Sequence, residues 1–127
     1  MFEDNNNLVK DQGINGFDFD GVISLGIYPG PKDIIISGRS FEEAAYVNNI
    51  LKARDIYNAV YFNMMPKEGR KRSDSGIHKA NVLAILMSNG VKIDKFFEDD
   101  EVQVKEIKKR HPNLPVVHIK SNLVEKW

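Results

Sequence analysis

Short β-type runs alternate with helix-period segments along this chain, and this alternation restricts the fold more than any other feature of the sequence. Strands joined by helical crossovers run parallel, because each crossover returns the chain to the same end of the sheet. The clearest strand candidate is the run Ile34-Ile35-Ile36, since three consecutive isoleucines are typical of a strand buried on both faces. The pattern therefore predicts an α/β domain.

The expected strands span residues 14–19, 33–37, 59–62, 95–97 and 115–119, and the expected helices span 41–54, 78–88 and 100–110. Ser40 and Glu43 fit a capping box at the start of the first helix. The first strand is weak because it contains Gly16, and residues 63–77 read as a long polar connector. The predicted architecture is a three-layer sandwich: a Rossmann-like, mostly parallel five-stranded sheet with helices on both faces.

Length and charge limit the classes of function. A chain of 127 residues suits one domain, which we expect to span 1–127. Eighteen basic and eighteen acidic side chains leave no formal net charge, which argues against binding nucleic acid or membrane by bulk charge. The absence of cysteine excludes disulfides and thiolate metal sites. No signal-like or membrane-spanning run is present, so we expect a cytoplasmic protein without a membrane partner.

Polar residues follow several of the predicted strands. Parallel strands bring their carboxyl ends to one edge of the sheet, where ligands bind in such folds. Lys79 falls near the start of the predicted second helix and would face the same edge. The residues expected there are Asp18, Asp20, Ser37, Gly38, Arg39, Lys79, Glu98, Asp99 and Asp100.

Five carboxylates at one edge would repel each other in a partly dry cleft unless protons or a cation compensate. Oxygen ligands of this kind suit Mg²⁺, which often shares its coordination shell with a substrate phosphate. Lys79 lies near the predicted start of a helix, where the positive end of the helix dipole would repel its ammonium. This arrangement indicates an anion bound between them. Carboxylates, the Ser37 hydroxyl, a lysine and Mg²⁺ together are typical of phosphoryl transfer.

The same residues resemble the four motifs of the haloacid dehalogenase-like (HAD) superfamily of phosphatases, in the family's order. The matching segments are Asp18-Phe19-Asp20-Gly21-Val22, Ile34-Ile35-Ile36-Ser37-Gly38-Arg39, Lys79 and Phe96-Phe97-Glu98-Asp99-Asp100. The resemblance covers roughly residues 14 to 120. It implies an HAD-like fold and a Mg²⁺-dependent phosphomonoester hydrolase.

By position, the resemblance makes Asp18 the nucleophile that forms an aspartyl-phosphate and a metal ligand. Asp20 would be the general acid and base, with its backbone carbonyl on the metal. Ser37 and Lys79 would hold the transferring phosphoryl group. Asp99 is the first choice for the acidic metal ligand, and the second choice stays open between Glu98 and Asp100.

Sixteen residues separate Asp20 from Ser37, and forty-one separate Ser37 from Lys79. These gaps leave no room for an inserted cap domain, so the chain resembles small capless members of the family. An open site accepts large substrates or is closed by another copy, so a homo-oligomer is one option.

Residues 67–79 carry a surplus of three positive charges, five basic side chains against two acidic ones. The segment is either a solvated loop or a surface that attracts an anionic substrate. On the second interpretation Arg70 and Arg72, together with Gly38 and Arg39, bind substrate. The preferred substrate is then a phosphorylated small molecule such as a nucleotide, or a nucleic-acid 3′-phosphate end.

Two alternatives stay open. One is a non-catalytic HAD-like module that binds metal or phosphate. The other is a receiver-like phospho-acceptor domain, which would require an aspartate after the third strand, where this chain has Asn63. The three histidines lack metal-ligand spacing, and neither they nor Trp127 are assigned a role.

Overall fold

The computed structural model describes residues 13–123 and 126–127. Its five strands are β1 Ile14–Phe17, β2 Ile34–Ser40, β3 Val60–Asn63, β4 Ile93–Glu98 and β5 Val116–His118. They form one sheet in the order β3-β2-β1-β4-β5, and every neighbouring pair is parallel. The predicted α/β class is confirmed, and the sheet is parallel throughout rather than mostly parallel.

The helices are α1 Ala44–Ala53, α2 Arg72–Ser88 and α3 Glu101–Arg110, with short 3₁₀ turns at Ile23–Leu25 and Phe41–Glu43. Two hydrophobic clusters show how they cover the sheet. Val47 and Leu51 of α1 pack with Ile35 on one face. The other face holds a second cluster that includes Ala80, Leu83 and Ile107 of α2 and α3. The result is the three-layer arrangement that the sequence predicts.

The isoleucine run of β2 supplies both clusters. Ile34 and Ile36 belong to the cluster under α2 and α3, whereas Ile35 belongs to the cluster under α1. Successive side chains of a strand point to opposite faces, so a fully buried strand needs apolar residues at consecutive positions. This strand lies beside the central β1 and fixes its position.

Gly16 explains why the first strand looks weak in the sequence. In the parallel register Gly16 lies opposite Phe96 of β4. A Cβ atom at position 16 would approach Cδ1 of the Phe96 ring to 2.6 Å, closer than real Cβ contacts come. The missing side chain therefore makes room for the fully buried ring.

Helix α2 begins at Arg72, so the predicted start near His78 is wrong and the predicted connector 63–77 is too long, since it spans only 64–71. The Lys71 backbone N–H donates to the Asp74 carboxylate at 2.8 Å and caps the new start. Gly76 then lets α2 approach α3 closely, since a Cβ there would meet Cα of Gln103 at 3.0 Å. Tertiary packing holds these two polar turns, which lack an apolar stripe.

Lys79 therefore lies two turns inside α2 and not at its N-terminus. The expectation that the helix dipole acts on this lysine is wrong, because that effect fades within the first turn. The residue still faces the acidic edge of the sheet, and its partners are described below.

Strand β2 extends to Ser40, so Ser37 lies within the strand and not after it. The Ser40 hydroxyl accepts a hydrogen bond from the Glu42 backbone N–H, which confirms the cap. The reciprocal capping box does not form, because the Glu43 carboxylate accepts a bond from Arg39 instead.

No helix in the described part of the chain is both long enough and apolar enough to cross a membrane.

We expect Gly16→Ala to lower the free energy of unfolding by about 1–3 kcal/mol, because the added methyl group overpacks against the Phe96 ring. Urea denaturation measures the change. In a Phe96→Leu background the same substitution should cost clearly less, since the ring that it meets is gone. An equal cost in both backgrounds would contradict the steric explanation.

Candidate functional site

Three buried carboxylates meet at the carboxyl ends of β1 and β4. Asp18 directly follows β1, Glu98 ends β4 and Asp99 follows it. One oxygen from each lies within 4.8 Å of the others, and all three residues are buried. Parallel pairing of the central strands puts these chain-distant residues side by side. We call Asp18, Glu98 and Asp99 the acidic cluster.

Lys79 lies at the centre of this cluster. Its Nζ donates to Oδ1 of Asp18 at 2.8 Å and to Oε1 of Glu98 at 2.6 Å. The lysine and both carboxylates are almost fully buried. A buried charge is tolerated only when it is paired and hydrogen-bonded, so the three side chains depend on one another.

Burial shifts the protonation of this group. Desolvation raises the pKa of Asp18 well above its ordinary value, and the neighbouring Glu98 charge raises it further. Desolvation likewise raises the pKa of Glu98. Burial alone would lower the pKa of Lys79, but the charges of Asp18 and Glu98 outweigh it and raise the pKa. The ammonium therefore stays charged, and without a further cation the raised pKa values favour the protonated form of one of the two acids.

The donor set fits a hard divalent cation. Three carboxylate oxygens within 4.8 Å of one another are ligands of the type that Mg²⁺ and Ca²⁺ take. Asp18, Glu98 and Asp99 are the residues that could hold such an ion. The Asp100 carboxylate, one of the two choices left open, is not part of this cluster among the described residues. The Asp20 carboxylate is not part of it either, but the metal contact predicted for Asp20 is through its backbone carbonyl.

Gly21 brings Asp99 into the cluster. Its φ of +83° lies in the left-handed region that favours glycine. A Cβ at this position would overlap the Asp99 carboxylate. The glycine after Asp20 thus both makes the turn and leaves space for an acidic group from β4.

Asp20 is held by Arg39 through both of its oxygens. Nε and Nη2 of Arg39 donate to the carboxylate at 2.9 and 3.0 Å, and Nη1 donates to Glu43 at 2.5 Å. Burial raises the pKa of Asp20, and the bonds from Arg39 oppose the rise. Arg39, predicted to bind a substrate anion, already pairs with two carboxylates of its own chain.

Ser37 and Gly38 lie on β2, beside β1. Ser37 comes two residues after Ile35, the register partner of Phe17. Its Oγ accepts a hydrogen bond from the Arg39 backbone N–H at 3.0 Å, and the residue is fully buried. The hydroxyl therefore lies on the strand next to Asp18, where its own proton is available to an acceptor.

Asp100 has a structural position. It accepts from the Val102 backbone N–H at 3.1 Å and from Gln103 Nε2 at 2.9 Å, and it also pairs with Arg72. Burial opposes the shift, but the bonds from Arg72 and Gln103 lower the pKa of Asp100. The carboxylate caps α3 and ties it to the start of α2. Between the two open choices, the geometry places Glu98 beside Asp99.

The basic segment 67–79 is less uniform than its sequence indicates. Lys79 is buried in the acidic cluster and Arg72 is paired with Asp100. Arg70 is partly buried, and burial lowers its pKa. A cavity of about 160 Å³ adjoins the segment, lined by Lys67, Arg70, Lys71, Arg72, Ser75, Lys126 and Trp127. The predicted contacts Arg70 and Arg72 therefore lie along one small cationic cavity.

Lys126 and Trp127 join the site, although the sequence analysis gave them no role. Lys126 Nζ donates to Oδ2 of Asp99 at 2.8 Å. The Trp127 ring lies over the Arg39 guanidinium, 4.0 Å from ring centroid to Cζ. No motif or spacing marks this segment; only the folded chain brings it to the acidic edge.

Each of the five predicted carboxylates has a cationic side chain beside it. The pairs are Asp18 with Lys79, Glu98 with Lys79, Asp20 with Arg39, Asp99 with Lys126 and Asp100 with Arg72. Mutual repulsion of the acids therefore does not by itself require a divalent ion, and that expectation from the sequence is wrong. The chain supplies much of the compensating charge itself, and a metal would have to compete with it.

Comparison of the sequence with protein-family models gives no match, and comparison with curated proteins gives no significant match.

His78 lies beside Lys79 but faces a different region. It lines a cavity of about 710 Å³ between β3 and α2, away from the acidic cluster. Its Nε2 is buried without a hydrogen-bond partner. Burial, assisted by the charge of Lys79, lowers the pKa of His78 to about 4.

Protonation of His78 should destabilise the fold in mild acid. The unfolded chain, with the ordinary histidine pKa, binds this proton more tightly than the folded chain. The free energy of unfolding therefore falls as the pH drops from about 6.5 towards 4. We expect a loss of about 1–2 kcal/mol between about pH 7.5 and about pH 5, absent in His78→Asn. Urea unfolding of both proteins at the two pH values measures the difference, and an identical pH dependence would contradict this explanation.

Proposed function

We propose that this protein is a Mg²⁺-dependent phosphomonoester hydrolase of the HAD-like type that works through an aspartyl-phosphate on Asp18. The observation that carries the proposal is the placement of Lys79 between Asp18 and Glu98, with Asp99 completing the acidic cluster. These residues come from three of the four sequence motifs. A buried lysine bridging an acid after the first strand and an acid at the end of the fourth fits the phosphatase order of motifs.

Asp18 is suited to nucleophilic attack. Its carboxylate is anchored by Lys79 through one oxygen, so the chain fixes its direction. In the first step a carboxylate oxygen attacks phosphorus, the P–O bond to the leaving alcohol breaks, and an acyl phosphate forms on Asp18. In the second step water attacks the same phosphorus, and the bond from phosphorus to the Asp18 oxygen breaks. Inorganic phosphate is released and Asp18 is again a carboxylate.

Asp20 is the general acid of the first step and the general base of the second. It donates a proton to the leaving oxygen, then accepts one from the attacking water. Burial raises its pKa, which favours the protonated form that the first step needs. Because Arg39 binds both oxygens of Asp20, this role requires the carboxyl group to turn from the guanidinium when substrate is present.

Lys79 and Ser37 bind the transferring group. The ammonium compensates negative charge on the phosphoryl oxygens, and the Ser37 hydroxyl donates a hydrogen bond to one of them. When bound by Asp18, Glu98 and Asp99, Mg²⁺ would supply the additional positive charge that lets a carboxylate approach a phosphate dianion.

The cationic cavity favours an extended anionic substrate. Arg70 and Lys71 adjoin it, and a nucleotide or a nucleic-acid 3′-phosphate end would present further phosphates to such a surface. This substrate preference is part of the proposal.

A second candidate is a non-catalytic module that binds metal or phosphate. The internal pairing of every predicted carboxylate favours it, because a charge-satisfied cluster is stable without turnover. The receiver-like alternative is disfavoured by topology: the sheet order is 3-2-1-4-5, whereas receiver domains have the order 2-1-3-4-5.

Asp18→Asn should abolish hydrolysis of p-nitrophenyl phosphate and of nucleotides in the presence of Mg²⁺, with a loss of about 1000-fold or more in kcat. The amide cannot act as the nucleophile. Asp55→Asn is the matched control, since Asp55 is exposed and has a φ of +56°, a conformation that asparagine tolerates. Activity that survives in Asp18→Asn would exclude the proposed mechanism. An inactive wild-type protein that still binds Mg²⁺ would favour the non-catalytic module.

The position of Glu98 in the cluster predicts that it, and not Asp100, supports metal binding. We expect Glu98→Gln to weaken Mg²⁺ binding about tenfold or more in calorimetry. Asp100→Asn should leave affinity near wild type while lowering stability through the lost charge pair with Arg72, since asparagine can still cap α3. The reverse ranking of affinities would assign the ligand role to Asp100.

A further inference from the structure

Lys126 and Trp127 contact the candidate site at several separate points. Lys126 Nζ lies 2.8 Å from Oδ2 of Asp99, and the side chain is only 15% exposed. The Trp127 carbonyl accepts a hydrogen bond from Gln103 Nε2 at 2.5 Å. Its indole ring stacks on Arg39, and Lys67 Nζ lies 4.8 Å from the ring centroid. We call Lys126 and Trp127 the strap.

Gly38 leaves space for the backbone of the strap. A Cβ atom at this position would overlap the Trp127 carbonyl oxygen. Gly38 directly follows Ser37, the proposed phosphoryl-binding hydroxyl. The backbone of the strap therefore lies against the part of β2 that a phosphoryl group must approach.

The indole ring of Trp127 contacts Arg39, the residue that binds Asp20. Arg39 holds both oxygens of Asp20 while it lies under the indole at 4.0 Å. Stacking of a guanidinium on an aromatic ring restricts its movement. The strap thus favours the arrangement in which both oxygens of Asp20 are bound to Arg39.

The ion pairs of the acidic cluster determine the role of Lys126. Asp18 and Glu98 share Lys79, whereas Asp99 forms its ion pair with Lys126. A divalent ion held by the acidic cluster would require the Asp99 carboxylate, and two cations at one carboxylate repel each other in a buried site. The ammonium and the metal therefore compete for Asp99.

We propose that the strap is an autoinhibitory element: Lys126 occupies the acidic cluster in the absence of divalent metal, and metal binding releases it together with Trp127. The inference rests on the proposed function, since it assumes that the cluster binds a divalent ion. Release removes the indole from Arg39 and uncovers Gly38. Metal loading and opening of the phosphoryl site are then one event.

Trp127 provides the readout, because it is the single tryptophan of the chain. Its fluorescence is followed with acrylamide as quencher while MgCl₂ is added, with NaCl of equal ionic strength as the salt control. Calorimetry on the same samples measures Mg²⁺ affinity without any activity assay. We expect Mg²⁺, and not NaCl, to make Trp127 markedly more accessible to the quencher, over the concentration range in which heat is released.

Lys126→Gln tests the competition. Its Trp127 should be accessible before metal is added, and its Mg²⁺ affinity should rise about tenfold, because binding no longer has to displace the ammonium. Lys52→Gln is the matched control, with the same loss of charge on an exposed residue of α1. It should behave like wild type. The wild-type quenching experiment stands by itself if a variant does not fold.

The results distinguish failure of the strap proposal from failure of the proposed metal site. Mg²⁺ binding to wild type without a change in Trp127 accessibility, or equal affinities of wild type and Lys126→Gln, overturns the strap and leaves the metal site in place. Release of Trp127 by NaCl alone also overturns it, since ionic screening would then be sufficient. No heat of binding in wild type or in Lys126→Gln overturns the metal site of the proposed function, and the strap as a metal-released element with it.

Discussion

The buried ammonium of Lys79 between Asp18 and Glu98 is the interaction on which the rest of the structure depends. Removing Lys79 would leave two acids facing each other with no cation between them and almost no access to water. The group links β1, α2 and β4, and so ties the centre of the sheet to one covering layer. Fold and candidate site are stabilised by the same contacts.

Around this group the chain pairs acids with its own cations. Arg39 holds Asp20, Arg72 holds Asp100 and Lys126 holds Asp99. The pairs differ in what they do: Asp100 caps a helix, whereas Asp99 lies in the acidic cluster. A function at this site therefore requires at least one of these ion pairs to open. In the proposed mechanism the Lys126 pair opens, because its partner Asp99 is a proposed metal ligand and because its segment also lies against Gly38.

Local pattern predicted most of the sheet, since strand positions depend on short apolar runs. It failed where packing between elements overrides pattern. The first turns of α2 are polar, yet they are helical because Gly76 allows close contact with α3. Gly16 weakens the strand signal of β1, yet the strand lies at the centre because the Phe96 ring fills the space. In the sequence alone a glycine weakens the prediction of a strand or helix, because the neighbouring residue that fills its space is not known.

The amino-acid sequence by itself determined the α/β class, the approximate strands, and the set of acids and the lysine that converge at one edge, because parallel strands end on the same side. Only the tertiary structure decided the partner of each charge. It placed Glu98 with Asp99 and turned Asp100 towards α3. It also brought Lys126 onto Asp99, a contact between distant parts of the chain that no periodicity or spacing encodes. The physical reason is that ion pairing depends on distance in space, which a linear pattern specifies only within single elements.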